Sequence, residues 1–285
     1  MNFRPSVRSR HQTHSNLRNN LQRLPFRSII RLGSTASIEE INRERVTKNL
    51  RPVNSFVECN TVDAVKNSAN KLKMKECFTR DRVKTADWFT YNGTNFITSE
   101  RNNVILIENL PYPIVAKSHF GSRGVGNTLL NNQQELETWM IGKNLNRYIF
   151  EKYYNFVREY RLHIDKNGCF YTCRKMLKRD APEANKWQRH DDNCVWILED
   201  NAQFDKPSNW NEIIEHSVKA LQSVGLDIGA VDVRVQSRLD SKDRVRENPD
   251  FIIIEINSAP SFGEVTEQKY LQRIPLILNE KYENR

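Results

Sequence analysis

The sequence predicts an α/β protein built of small lobes, and three observations carry that expectation. Phe251 to Ile256 is a nearly continuous apolar run, as in a strand covered on both faces. Val62, Val65, Ala69 and Leu72, and later Ile213, Ile214, Val218 and Leu221, recur at helical spacing. Lys166, Asn167 and Gly168 form a tight turn between two strand-like segments, the strongest hairpin signal in the chain.

Composition sets the outer bounds. The chain has 285 residues, 38% of them apolar, with 10 Gly and 10 Pro, which fits a globular protein and excludes a collagen-like or wholly disordered one. No run reaches the roughly eighteen apolar residues of a membrane helix. The basic N-terminus lacks the apolar stretch of a secretory signal, so a cytoplasmic protein without membrane contact is expected. The five cysteines are an odd number without dense spacing, which speaks against a disulfide scaffold. Cys169 and Cys173 share a strand face, and no further ligands are patterned beside them, so they read as buried or incidental.

The net charge of +9 is concentrated at the front, where Arg4, Arg8, Arg10, Arg18, Arg23, Arg27 and Arg31 precede the first acidic residue, Glu39. Residues 1–25 are expected to be a flexible basic arm, able to meet an acidic peptide, a protein, nucleic acid or nothing specific. They lack interleaved aromatics, so a base-stacking platform is not indicated.

The elements follow in order. Phe26 to Leu32 reads as a strand ended by Gly33, and Val62 to Met74 as a helix. Short strands are expected at Ala86–Thr90 and Val104–Ile107, which completes an N-terminal lobe over residues 26–108. A central lobe, residues 109–154, opens with the strand Tyr112–Lys117. A glycine-rich segment follows, then a helix from Gln133 to Ile141 capped by Asn131 or Asn132, and a strand from Tyr148 to Tyr154. The last lobe, residues 155–285, holds the hairpin and a polar loop, Asp180–Asp192. It continues with a helix from Trp210 to Val224, strands at Ile228–Val235 and Phe251–Ile256, and a helix from Glu264 to Leu278 interrupted at Pro275.

Chemistry can reside in three places. Glu255 and Asn257 are two residues apart, so a strand puts both on one face, and Asp232 sits in a similar apolar strand. Antiparallel pairing would bring the three together as hard oxygen ligands for Mg²⁺, supplemented by phosphate oxygens. Equally, Asp232 is open to a turn-capping role and Glu255 to an ion pair.

The second place is Lys117 with Gly121, Ser122, Arg123, Gly124, Val125 and Gly126. Several glycines let backbone N–H groups approach phosphates, although no Walker or Rossmann pattern is present and a generic turn remains open. The third is the cationic hairpin of Arg158, Arg161, Arg174 and Lys175 with Glu159, which suits phosphate or developing negative charge, or simply a solvated face. His163 and His119 read as orienting or structural groups before catalytic ones.

Together these elements resemble the ATP-grasp superfamily, in pattern most of all its RimK-type amino-acid ligases, over about Phe26 to Leu278. Lys117 before a mobile glycine loop matches the family arrangement. Lys71, after Asn70 at a helix start, is similar to an earlier family lysine, with Lys75 as its rival. Glu151, Lys152 and Tyr153 resemble the linker that holds adenine, and Glu159-Tyr160-Arg161 an acidic–x–Arg element. Asp232 and Glu255–Asn257 match the family's metal ligands.

The resemblance implies an ATP-grasp fold and an ATP-dependent carboxylate–amine ligase using Mg²⁺ or Mn²⁺. An acylphosphate would form, an amine would attack, and ADP and phosphate would leave. Lys117, Arg161 and Arg174 become the candidates for handling the transferred phosphoryl group and the tetrahedral intermediate. Lys71, residues 121–126, Glu151, Lys152, Tyr153 and Glu159 become the candidates for holding the nucleotide. The identity of the carboxylate and amine is left open. Two alternatives stand beside this: a non-catalytic nucleotide-binding interaction protein, and an ATP-grasp enzyme acting on nucleic acid.

Overall fold

The computed structural model describes residues 5–9, 11–25, 27–99, 103–121, 124–183, 186–189 and 193–284. Within them lie three sheets.

The first sheet is parallel, in the order β1-β2-β3, with β1 Ser6–Ser9, β2 Ser28–Leu32 and β3 Val57–Cys59. Parallel neighbours need crossovers, supplied by α1 (Ser15–Leu21) and α2 (Ile38–Thr47). Over the described residues 5–9 and 11–25 this corrects the expectation of a flexible basic arm; residues 1–4 and 10 of that segment lie outside the described residues. Val7, Leu17 and Leu21 are buried in a core completed by the C-terminal helix α7, Glu264–Glu283. Leu17 and Leu21 sit one helical turn apart, so a polar-looking segment still has one apolar stripe. Part of the basic run is structural too: buried Arg31 donates to Glu58 at 2.5 Å, and Arg8 to Glu44 at 2.6 Å. Pro275 lies inside α7 without ending it.

The helix expected from Val62 to Met74 is two. The extended backbone of Asn70 closes α3 (Val62–Ala69), and its side chain accepts from Lys73 N to cap α4 (Lys71–Arg80).

The second sheet has six strands in the order β6-β5-β4-β9-β7-β8. These are β4 Trp88–Tyr91, β5 Phe96–Thr98, β6 Val104–Ile105, β7 Ile114–Ser118, β8 Thr128–Leu130 and β9 Tyr148–Lys152. A lobe boundary at residue 108 would cut this sheet, because β4 pairs with β9. One face packs Phe89, Phe96, Ile114, Ala116 and Phe150 against Leu136 of α5, Gln133–Met140. Residues of the opposite parity, among them Lys117 and Glu151, are left for the other face.

The third sheet is antiparallel, β12-β11-β10-β13-β14. Its strands are β10 Arg158–Asp165, β11 Gly168–Leu177, β12 Cys194–Leu198, β13 Ile228–Val235 and β14 Phe251–Asn257. Tyr160, Leu162, Ile164, Val231, Val233, Phe251 and Ile253 form the face under α6 (Trp210–Val224), with Val65, Met74 and Phe78 of α3 and α4 joining the same core. α6 is ended by Gly225 in the left-handed region at φ 81. The second and third sheets are stitched at Thr85, which pairs with Ile253 and whose Oγ1 donates to Ile253 O at 2.8 Å. Among the described residues, no helix is long and apolar enough to cross a membrane.

Candidate active site between two sheets

Alternation along β10 and β13, and a bulge in β14 that leaves one extra residue between Ile253 and Glu255, decide what the third sheet turns away from α6. Arg161 stands opposite Asp232, and Asp232 opposite Glu255; Asn257 pairs with Ala230. Two carboxylates and an amide therefore gather at one edge of the sheet. Asn257 Nδ2 donates to Glu255 Oε1 at 3.1 Å.

Asp232 is buried, and its two oxygens accept from Arg161 Nε and Nη2 at 2.7 and 2.8 Å. Burial would raise the Asp232 pKa, but Arg161 and Lys175 outweigh it and hold the carboxyl below its ordinary range. Lys175 Nζ lies 3.2 Å from Glu159, and Arg234 donates to the other Glu159 oxygen at 2.9 Å. Burial alone would raise Glu159 as well; Arg234 and Lys175 keep it ionised.

On the second sheet, Glu151 receives two lysines. Lys117 Nζ donates to Glu151 Oε2 at 2.8 Å, and fully buried Lys75 lies 3.4 Å from the same oxygen. Burial lowers the Lys75 ammonium to about 8, against the pull of Glu151. Lys71, whose pKa burial also lowers, hydrogen-bonds Gly121 O through Nζ, and its backbone N donates to His119 O at 2.9 Å. The start of α4 thus holds the root of the glycine loop. At Gly121 a Cβ would stand 2.9 Å from Val125 O, so this close approach admits only glycine.

The sequence-derived residues divide as follows. Lys71, Lys117, Gly121, Glu151, Glu159, Arg161, Asp232, Glu255 and Asn257 lie in these two facing networks. Gly124, Val125 and Gly126 continue the loop, with Val125 exposed, while Ser122 and Arg123 lie outside the described residues. The Lys152 side chain turns to Asp87 at 3.8 Å and to the Tyr154 ring; Tyr153 N donates to Pro113 O at 2.9 Å.

Arg174 is a correction. It pairs with Tyr160 across the hairpin and bonds Asp205 on the α6 side, away from Asp232. The cause is a β-bulge. Ile164 pairs with Cys169, yet His163 pairs with Tyr171, so one extra residue sits in β11 and every later side chain changes face. Lys175 takes the place opposite Glu159 that an unbulged hairpin would give Arg174. Arg234 and Trp196 were also outside the expected set. Arg234 was within reach, since it shares the parity of Asp232. Trp196 belongs to β12, a short edge strand that the sequence did not announce.

A hard divalent cation fits the oxygen set. Among the described residues no three His, Cys, Asp or Glu side chains could hold a metal unaided. Two carboxylates and one amide suit Mg²⁺, which is commonly bound through one or two carboxylates with phosphate oxygens completing the sphere. Among the described residues no cation lies within ion-pair distance of Glu255, whereas both Asp232 oxygens already accept from Arg161 and Lys175 lies 3.9 Å from one of them.

No family model matches the chain. A coenzyme gamma-F420-2:alpha-L-glutamate ligase from Methanococcus maripaludis is 19% identical over 216 residues, covering 76% of this chain and 67% of the relative. D-alanine–D-alanine ligase from Bacillus anthracis superposes with TM-score 0.57 at 13% identity, over 86% of this chain and 77% of that one. N5-carboxyaminoimidazole synthetase from Staphylococcus aureus, solved with ADP, gives TM-score 0.59 at 16% identity, over 90% and 70%. These likenesses show the fold: the chain has the ATP-grasp fold.

Proposed function

We propose that this chain is an ATP-dependent carboxylate–amine ligase that works through an acylphosphate and releases ADP and phosphate. The observation that carries the proposal is the opposition of two networks. Lys71, Lys75, Lys117 and Glu151 stand on one side, and Arg161, Lys175, Asp232, Glu255 and Asn257 on the other. Polyphosphate is the ligand class that needs both a cationic cradle and a hard-metal site.

Lys117 and Lys71 bind phosphate oxygens, and the glycine loop covers them with backbone N–H groups. Glu151 orients Lys117 and positions Lys75. Asp232, Glu255 and Asn257 would hold Mg²⁺ or Mn²⁺, which when bound neutralises charge on the β- and γ-phosphates. Arg161 and Lys175 face the transferred phosphoryl group and steady the negative charge of the acylphosphate and of the tetrahedral adduct. No side-chain nucleophile is required, because the substrate carboxylate attacks phosphorus and the amine then attacks the acyl carbon.

The M. maripaludis relative is named for joining L-glutamate, which makes amino acids the first amine acceptors to try. Incubating the protein with ATP, Mg²⁺ and paired pools of carboxylates and amines should release ADP only with metal and a competent pair. AMP as the product would overturn the acylphosphate mechanism.

A further inference from the structure

Trp196 stands directly across the strand pair from Lys175. Its indole centre lies 5.0 Å from the Arg161 guanidinium carbon and 5.0 Å from Lys175 Nζ. Both separations fall within the roughly 6 Å over which a cation is attracted by an aromatic face, and Trp is the strongest such partner. The side chain is half-buried on the edge strand β12, so it closes one flank of the cationic pair.

The other partners of these cations are carboxylates. Arg161 is held by Asp232, and Lys175 by Glu159 and Asp232. A carboxylate orients a cation and cancels its charge at the same time. An indole orients a cation through its quadrupole and leaves the net charge intact. The distinction matters here because the Asp232 oxygens are wanted by a metal. Both oxygens already accept from Arg161, so a metal there competes for them, whereas the indole contact does not depend on those oxygens.

We propose that Trp196 is a positioning residue that keeps Arg161 and Lys175 aimed into the cleft with their charge available to a phosphate or acylphosphate. This rests on the ligase reading above. It assigns Trp196, Arg161 and Lys175 to one oxyanion subsite, separate from the Lys71–Lys117 cradle on the facing sheet.

The test is calorimetric titration of inorganic phosphate into protein saturated with Mg²⁺·ADP, for the wild type, W196F and W196L. Loss of one partly desolvated cation–π partner should weaken phosphate by about 5- to 30-fold in W196L. W196F, which keeps an aromatic face, should restore most of that affinity. Mg²⁺·ADP affinity and the thermal midpoint should match the wild type in both variants. Unchanged phosphate affinity in W196L overturns the role, and so does W196F failing as badly as W196L. A parallel loss of Mg²⁺·ADP and phosphate in W196L also overturns it, because the effect is then a general disturbance of the fold. Wild-type protein that holds Mg²⁺·ADP but no phosphate at millimolar concentration overturns the subsite alone. Wild-type protein that binds no Mg²⁺·ADP overturns the ligase reading, and the Trp196 role falls with it.

Discussion

Arg161 holds both oxygens of Asp232, through Nε at 2.7 Å and Nη2 at 2.8 Å, and the pair is almost wholly withdrawn from water. Fork-on-carboxylate contacts of this kind fix orientation as well as charge. Glu255, its cross-strand neighbour, has no such partner among the described residues. Two acids proposed for one metal therefore carry different structural duties.

D232N should damage the fold as well as turnover. It leaves a buried guanidinium facing an amide, and losing one half of a buried ion pair costs roughly 3–5 kcal/mol. E255Q should leave stability within about 1 kcal/mol of wild type, because no ion pair is broken. Both should lower metal-dependent ADP release by more than about 100-fold, beyond what losing an outer-shell partner of a metal ligand costs. Urea midpoints beside initial rates check this; an E255Q enzyme with normal turnover would sink the metal assignment.

The bulge in β11 separates two adjacent cations. Arg174 shares Asp205 with Arg158 on the α6 side, whereas Lys175 faces Glu159 and Asp232. R174A should cost about 1 kcal/mol of stability, as for a partly exposed pair, and change turnover little. K175M should lower kcat by about 100-fold, the usual scale for removing a group that stabilises developing negative charge. Steady-state kinetics decide between them, and equal damage from both would mean that the hairpin register is wrong.

Glu151 is shared by Lys75 and Lys117, and both Glu151 and Lys75 are buried. E151Q strands two cations and should cost roughly 3–5 kcal/mol. K75M removes an ammonium whose charged form burial already disfavours, and Lys117 still answers Glu151, so its cost should stay near about 1 kcal/mol. Chemical denaturation measures the order. K75M proving the more damaging would make Lys75, not Glu151, the node of the network.

Much of this architecture was legible from local pattern. Ile228–Val235 and Phe251–Asn257 announced themselves because strands buried on both faces are apolar almost throughout. Gly168 and Asn167 marked the hairpin turn. What stayed hidden depends on long-range or single-residue events. The side of Arg174 turns on one inserted residue, which no periodicity records. β12 is short and half-exposed, so Trp196 carried no strand signal. The first residues looked unstructured because their anchor is remote: His14 Nε2 bonds Pro260 O across 246 positions.

That anchor gives a pH signature. His14 is fully buried, its ring stacked on Phe262 at 4.1 Å, its Nε2–H donated to Pro260 O at 2.7 Å, and its Nδ1 accepting from Ser9 Oγ. Burial pushes its pKa from 6.5 down to about 4; the bond to Pro260 opposes the shift, and His11 and Arg18 add to it. Between those two values the unfolded chain binds the extra proton and the folded one does not. Stability therefore rises with pH across the window: it is fully present above pH 6.5 and is lost as pH falls towards 4, by about 3 kcal/mol from this group. His163, lowered by burial to about 3, contributes a similar slope. H14F keeps a ring against Phe262 and removes the titration, so its stability between pH 6.5 and 4 should fall less steeply than wild type without becoming flat. Because Pro260 lies three residues beyond Asn257, H14F should also weaken Mg²⁺·ADP binding more at neutral pH than its loss of stability alone explains. Urea titrations at several pH values test the first outcome and calorimetry the second. Identical slopes for H14F and wild type would show that His14 is already protonated in the folded protein.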